Sequence, residues 1–162
     1  MKSQAETAAR IFRTVPYSLQ KGSFVPDLEL VFPEGSRQLL SQFRGRSNLV
    51  IVFGANSEQM RALLAELAAQ PTLIRNNESK VLVIGALKQV SADAQSTFAT
   101  AVVPNFPDML SGAHVIITDR FGEIFVVFPN KSPKITAADE VVRWLEFINQ
   151  QCEECSPPEW QD

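Results

Sequence analysis

The chain has 162 residues and a formal net charge of −3. This length predicts a single domain with a well-buried core. Hydrophobic residues make up 45% of the sequence and charged residues 20%, which excludes disorder of the whole chain. The acidic balance argues against a nucleic-acid partner and against an anionic membrane surface.

The sequence predicts a cytoplasmic protein without membrane insertion. No apolar run of signal-peptide length follows Met1, and no stretch approaches the roughly 20 apolar residues needed to cross a bilayer. Both cysteines, Cys152 and Cys155, lie together near the end of the sequence. A secreted disulfide scaffold has more cysteines, spread along the chain.

The first part of the chain predicts a short helix and then a β-hairpin. Ser3 and Glu6 have the spacing of a capping box, so a short helix is expected to follow them. Residues 28–32 have the pattern of a short strand, residues 33–36 have the Pro and Gly chemistry of a turn, and residues 37–40 supply the second arm.

A buried strand and an amphipathic helix are predicted next. Residues 48–53 are nearly all apolar or β-branched, which is typical of a strand buried on both faces of a parallel sheet. Ser57 is the expected N-cap of the following helix, and Pro71 is expected to end it. The apolar face of this helix, at positions i, i+3, i+4 and i+7, consists of Met60, Leu63, Leu64 and Leu67.

A second strand and a second helix follow. Residues 80–87 read as another buried strand. Ser91 is the expected cap of a helix over residues 92–101. Residues 102–110 contain two prolines and are expected to be irregular.

The last part of the chain predicts a β-hairpin and a helix. Strands are expected at residues 115–118 and 123–128, joined by a turn over Asp119–Gly122. Thr136 is the expected cap of a closing helix over residues 137–151, which has apolar positions at helical spacing.

This order of elements predicts a fold. From residue 48 onward it reads strand, helix, strand, helix, strand, strand, helix. Alternation of buried strands with helices predicts an α/β layer structure, and the closing hairpin makes the sheet mixed. A βαβ unit followed by a ββα unit is the order of the thioredoxin fold.

Three segments resemble the peroxiredoxin-like (redoxin) proteins, the branch that contains alkyl hydroperoxide reductases and thiol-specific antioxidants. Gly22–Leu30 resembles the Gly-x-x-x-Pro-Asp opening of these proteins, Phe43–Phe53 their first turn and core strand, and Ile117–Ile124 their D-x-x-G hairpin. The resemblance implies a thioredoxin-like fold, with a central mixed β-sheet flanked by helices and an N-terminal β-hairpin extension. The expected organisation is an N-terminal segment (residues 1–21), a redoxin-like domain (22–151) and a C-terminal tail (152–162).

The position that this resemblance assigns to the reactive thiol holds no cysteine. In redoxins and thioredoxins that cysteine follows the first core strand, where the N-terminus of the next helix stabilises the thiolate. Here the segment 54–61 reads Gly-Ala-Asn-Ser-Glu-Gln-Met-Arg. Ser57 would need an adjacent base to act as a nucleophile, and we expect it to cap the helix instead. The proline that precedes the third core strand in these oxidoreductases is also absent, since Gly112-Ala113-His114 stands there.

The C-terminal CxxC motif of Cys152 and Cys155 has three readings. It is a redox pair, one half of a zinc site completed by a second chain, or a pair of structural or incidental thiols. The expected helix C-terminus before it and the acidic residues Glu153 and Glu154 both disfavour thiolates. These cysteines are therefore weak candidates for catalysis and for metal binding.

The other candidate residues point to binding. His114, the one histidine of the chain, is expected to pack at the start of a strand, and Arg44 and Arg46 are expected to form a solvated basic turn rather than an anion site. Phe106 lies in the irregular apolar segment and is a candidate for contact with a partner. Trp160 follows Pro157 and Pro158, and this rigid anchor docks either on this domain or on another protein.

The sequence therefore predicts a redoxin-like protein without the usual cysteine site, acting as a non-catalytic binding or accessory subunit. A protein partner of unidentified kind is expected, and a homo-oligomer is possible. No cofactor is expected, because the glycine motif of FAD or NAD sites and the phosphate loop are absent. The alternative is a thiol–disulfide oxidoreductase or antioxidant protein that acts through Cys152 and Cys155.

Overall fold

The computed structural model describes residues 20–54, 58–85, 98–107, 110, 113–129 and 137–151. The predicted N-terminal helix lies outside these residues. In the described part, the secondary structure is β1 (Glu29–Val31), β2 (Arg37–Leu39), a 3-10 helix (Leu40–Phe43), β3 (Asn48–Phe53), α1 (Glu58–Ala68), α2 (Pro71–Asn76), β4 (Ser79–Ile84), β5 (Ala99–Ala101), β6 (Ala113–Thr118), β7 (Ile124–Pro129) and α3 (Ala138–Asn149).

A mixed five-stranded sheet forms the centre of the fold, with the strand order β5-β4-β3-β6-β7. The middle strand, β3, is parallel to β4 and antiparallel to β6, and all six of its residues are buried. Burial on both faces explains why its sequence is nearly all apolar. The predicted strand at residues 48–53 and its parallel pairing are confirmed.

Two apolar layers cover the faces of this sheet. The helices α1, α2 and α3 pack on one face of the sheet. There Leu64, Leu67 and Leu145 are almost completely buried, in one cluster with Val115 and Ile117 of β6. On the other face, the hairpin of β1 and β2 brings Leu30 and Leu40 against alternate residues of β3. The hairpin is therefore part of the core, which agrees with the predicted N-terminal extension.

The end of α1 differs from the prediction in one respect. The helix stops at Ala68, before Pro71, as expected, but Pro71 also begins α2. Proline is favourable at the first position of a helix because its missing N–H is not needed there and its φ is already helical. The break at Pro71 was predicted, and the new helix after it was not.

The predicted helix over residues 92–101 is wrong at its end. Residues 99–101 form the edge strand β5, which pairs in parallel with β4, and Val102 forms a bridge with Val31. The short Ala-Thr-Ala sequence has little preference of its own, so pairing with the open edge of β4 decides its conformation. Ser91 lies outside the described residues.

The two predicted hairpins are confirmed. β1 and β2 are antiparallel around Gly35, and β6 and β7 are antiparallel around Gly122, whose φ of +89° favours glycine.

The N-cap of α3 is Ala137 rather than the expected Thr136. The backbone nitrogen of Ala138 lies 3.4 Å from a carboxylate oxygen of Glu66 in α1. None of the helices in the described part of the chain has the length and apolarity of a membrane span.

Candidate functional site

The edge of the sheet where β3 ends is the position that the resemblance assigns to a reactive thiol. β3 and β4 are parallel, so Phe53 and Ile84 end at this edge, and the antiparallel β6 begins there at Ala113. α1 begins at Glu58, five residues after Phe53. We call this the β3–α1 edge, defined by Phe53, Gly54, Glu58, Ile84 and Ala113.

An aromatic pair gives the β3–α1 edge an apolar surface. The Phe53 ring is 4% exposed and meets the ring of Phe106 edge-on, with 5.7 Å between the ring centroids. Phe106 is 40% exposed, so its other side faces solvent. Because an edge-on aromatic pair holds both rings in place, Phe106 is a fixed apolar side chain at the surface rather than part of the core.

The polar groups at this edge do not form a nucleophilic centre in the described residues. Glu58 is exposed in the first turn of α1, where its negative charge suits the helix N-terminus. His114 is half-buried and lies in a β-bulge, because β6 advances from Ala113 to Val115 while β7 advances by one residue. Ser57, the other polar candidate, lies outside the described residues.

The end of α3 lies at the opposite edge of the sheet. Ile124, at the start of β7, pairs with Thr118, which pairs in turn with Leu49 at the start of β3. Phe125, the next residue of β7, contacts Phe147 in the last turn of α3, with ring centroids 6.4 Å apart. The chain therefore leaves α3, towards Cys152 and Cys155, at the edge where β3 begins.

The carboxyl groups with raised pKa values lie at this opposite edge, in the β6–β7 turn. Burial raises the pKa of Asp119 above 3.8, although its Oδ1 accepts the N–H groups of Phe121 and Glu123 at 2.9 Å each. Burial, together with the charge of Asp119, also raises the pKa of Glu123. These bonds close the turn that the sequence predicted, so we assign Asp119 a structural role.

A basic groove lies beside the same turn. Arg44 and Arg46 line an open groove of about 580 Å³ together with Arg37 of β2 and the polar side chains of Ser41 and Gln42. The N–H of Gly45, between the first two arginines, donates to the Arg120 carbonyl at 2.7 Å, which fixes this segment at the edge where β3 begins. We call this the arginine groove.

The sequence identified only part of the arginine groove. The sequence predicts a solvated turn at Arg44 and Arg46 and a hairpin arm at Arg37. The antiparallel pairing of β1 with β2 and the 3-10 helix after β2 bring Arg37 beside the other two. No short-range motif joins these three positions, so only the folded hairpin reveals the groove.

Most of the predicted site residues lie outside the described residues. These are Cys152, Cys155, Pro157, Pro158 and Trp160. In the described part of the chain, no three His, Cys, Asp or Glu side chains are grouped as metal ligands.

Comparison with known proteins identifies the fold. No protein-family model matches the chain, and no curated protein is similar to it at a significant level. Solved structures that are similar include the thioredoxin domain of a thiol-disulfide oxidoreductase from Bacteroides vulgatus, with 16% identity over 80% of this chain and 98% of that chain and a TM-score of 0.63. Peroxidoxin BcpB from Mycobacterium tuberculosis has 13% identity, the same coverage and a TM-score of 0.63. Mycobacterium tuberculosis AhpC has 13% identity over 89% of this chain and 99% of that chain, with a TM-score of 0.62. The chain has a thioredoxin-like fold, as predicted.

Proposed function

We propose that this chain is a peroxiredoxin-like protein that has lost its thiol site and acts as a non-catalytic binding or accessory subunit. One observation carries the proposal. The connection from β3 to α1 contains no cysteine, although it occupies the place where the resemblance puts the reactive thiol. Neither the fold nor the similar structures distinguish this function from the alternative, so the support comes from the chemistry of the chain.

The physical reason lies in the requirement for a thiolate. A cysteine at the N-terminus of α1 would be stabilised as an anion by unpaired backbone N–H groups and by the helix dipole. At this helix start the sequence provides Ser57 and Glu58 instead. A serine hydroxyl stays protonated at neutral pH without a base, and a carboxylate is a poor nucleophile for peroxides and disulfides.

The described end of α3, from which the chain continues to the two cysteines, lies away from the position of the missing thiol. The chain leaves α3 at the edge where β3 begins, and the six residues of β3 separate the two edges by about 17 Å. Cys155 is four residues beyond Gln151, and an extended chain of that length spans at most about 14 Å. The point at which the chain leaves α3 therefore supports the proposal that no thiol acts at the β3–α1 edge.

Phe106 is the proposed contact for a protein partner. An exposed aromatic side chain that is already fixed by Phe53 costs little conformational entropy to bury. Phe106 lies at the β3–α1 edge, where a catalytic relative would bind its substrate. In this chain we assign the same surface to the binding of a partner protein. We also keep the cytoplasm as the proposed location, on the basis of the low cysteine content.

Affinity capture from the native host tests this role. We expect the wild-type chain to retain a protein that the Phe106→Ala variant does not retain. Phe147→Ala is the matched control, because Phe147 is also an exposed phenylalanine, at 45%, but lies at the opposite edge. Equal retention by both variants would contradict a partner site at Phe106.

A peroxidase assay tests the absence of catalysis. The chain should not reduce hydrogen peroxide with a dithiol reductant faster than its Cys152→Ser/Cys155→Ser variant. Turnover that depends on the two cysteines would refute the non-catalytic function and favour the alternative.

The alternative is a thiol–disulfide oxidoreductase that uses Cys152 and Cys155, and the CxxC spacing is the observation that favours it. The dependence of the alkylation rate on pH measures the thiol pKa values. Values at or above about 8.5, the free-thiol reference, would count against this enzyme. A metal assay of protein purified without chelator tests the hypothesis that Cys152 and Cys155 bind zinc. A zinc stoichiometry near zero would exclude that hypothesis.

A further inference from the structure

The negative charge of this chain is concentrated in its last eleven residues. The segment 152–162 contains four carboxylates (Glu153, Glu154, Glu159 and Asp162) and no lysine or arginine. The other 151 residues carry fifteen basic and fourteen acidic side chains. The net charge of −3 therefore arises from the tail, while the remainder of the chain has a slight positive charge.

The arginine groove is the complementary surface in the described part of the chain. Arg37 forms an ion pair with Glu29 at 2.7 Å. Among the described residues, no carboxylate oxygen lies within 4.0 Å of a guanidinium nitrogen of Arg44 or Arg46. Two of the three guanidinium groups thus have donors available for a carboxylate ligand.

The other carboxylates beside the groove bond to its serines rather than to its arginines. Asp27 accepts two hydrogen bonds from Ser41, and the Ser36 hydroxyl, which donates to Glu34, lowers the pKa of that exposed carboxyl group. Ser36 and Ser41 line the groove as well. The surface therefore combines available guanidinium groups with neutral polar side chains, and this combination suits an acidic peptide.

The tail begins at the same end of the sheet as this groove, although α3 and the hairpin lie on opposite faces of the sheet. Gln151, the last described residue before it, donates from Nε2 to the carbonyl of Phe147, whose ring contacts Phe125 near the β6–β7 turn. That turn is bonded to Gly45 of the arginine groove. From Gln151, an extended chain spans at most about 29 Å to Glu159 and about 40 Å to Asp162. A path around the sheet edge, past two layers about 10 Å thick each, is within that length.

We propose that the acidic segment 152–162 of this chain docks in the arginine groove, with its carboxylates against the guanidinium groups of Arg37, Arg44 and Arg46. Charge complementarity and the point at which the chain leaves α3 support this occupant. Trp160 is then expected to pack on this domain rather than on a partner protein. The docking does not depend on whether the cysteines are redox-active.

Limited digestion of the full chain with a glutamate-specific protease tests the docking, because the tail contains three cleavage sites. Mass spectrometry follows the loss of the tail over time. In the Arg44→Gln/Arg46→Gln variant, which adds no new cleavage site, the tail should be removed about tenfold faster at low salt, as expected for the loss of two or three surface ion pairs. In the wild-type chain, raising the salt concentration should produce a similar acceleration.

A matched charge change serves as the control. Arg61 and Arg75 are exposed and lie on α1 and α2, on the helical face of the sheet. The Arg61→Gln/Arg75→Gln variant should lose the tail at the wild-type rate, because it changes the net charge equally but leaves the groove intact. The unfolding midpoint in urea verifies that both double variants are folded.

A second variant changes the tail instead of the groove. Glu159→Gln/Asp162→Asn should speed cleavage after Glu153 and Glu154 by about as much as high salt does. Equal rates in the wild-type chain and the groove variant would overturn the proposal, as would equal acceleration by the control variant. Protection that increases with protein concentration would also overturn it, because the occupant would then be the tail of a second copy.

Discussion

Asp27, just before β1, is joined by two hydrogen bonds to the 3-10 helix that follows β2. Its Oδ1 accepts the backbone N–H of Ser41, and its Oδ2 accepts the Ser41 hydroxyl, both at 2.8 Å. Asp27 belongs to the Gly-x-x-x-Pro-Asp segment that resembles the opening of redoxins. Because Ser41 lines the arginine groove, we expect this aspartate to hold the floor of the groove in place rather than to perform chemistry.

The cost of removing Asp27 follows from these bonds. A hydrogen bond to a charged group contributes about 1.5–3 kcal/mol, and the exposure of Asp27 reduces that value. We expect Asp27→Ala to lower the free energy of unfolding by about 2 kcal/mol. Ser41→Ala removes only the hydroxyl bond and should cost about 1 kcal/mol. For a chain of this length, the larger loss corresponds to a decrease of about 4–8 °C in Tm.

Urea unfolding of the two single variants and the double variant measures the interaction directly. The double variant should be less destabilised than the sum of the single variants, by about 1 kcal/mol. Ser36→Ala is the control, since its hydroxyl bonds to Glu34 within an exposed turn, and it should change the stability by less than about 0.5 kcal/mol. An interaction energy near zero would show that the bond between the Ser41 hydroxyl and Asp27 does not stabilise the fold.

Two further predictions concern the edge where β3 begins. Because the pKa of Asp119 is raised in the folded chain, the unfolded chain loses this proton first as the pH rises, and ionisation of Asp119 then costs stability as the pH passes through its folded pKa. Between about pH 3 and pH 7 the wild-type chain should therefore lose stability relative to the Asp119→Asn variant, which keeps the acceptor oxygen. Urea unfolding measures this, and a difference in free energy of unfolding that stays constant with pH would contradict it. Gly122→Ala should cost more stability than Gly35→Ala: both residues have φ near +89°, but only at Gly122 would the added Cβ meet a neighbour, Arg44 Nε at 3.2 Å. The backbone strain common to both is about 1–2 kcal/mol, and equal losses in thermal unfolding would argue against that contact.

Local sequence patterns were sufficient to predict the elements whose side chains are most deeply buried. The continuous apolar run at residues 48–53 predicted a central strand because a strand covered on both faces leaves no position for a polar side chain. The helical spacing of Met60, Leu63, Leu64 and Leu67 predicted α1, and the same four residues are buried against the sheet. The hairpins followed from turn chemistry around Gly35 and Gly122.

Local patterns failed where a segment depends on a distant neighbour. Residues 99–101 have no strong preference, and they become a strand because β4 presents an open edge and Val31 pairs with the following residue. The cap of α3 shows the same dependence, since the carboxylate near the Ala138 N–H comes from Glu66, 72 residues earlier. A reading based on neighbouring residues cannot detect partners at such separations.

The absence of a cysteine between residues 54 and 61 is a property of the sequence itself, because side-chain identity does not depend on folding. Tertiary structure alone decided that the chain leaves α3 at the edge opposite this segment and that Arg37 joins Arg44 and Arg46 in one groove. Both facts arise from strand pairing and layer packing, which bring together residues that the sequence keeps apart.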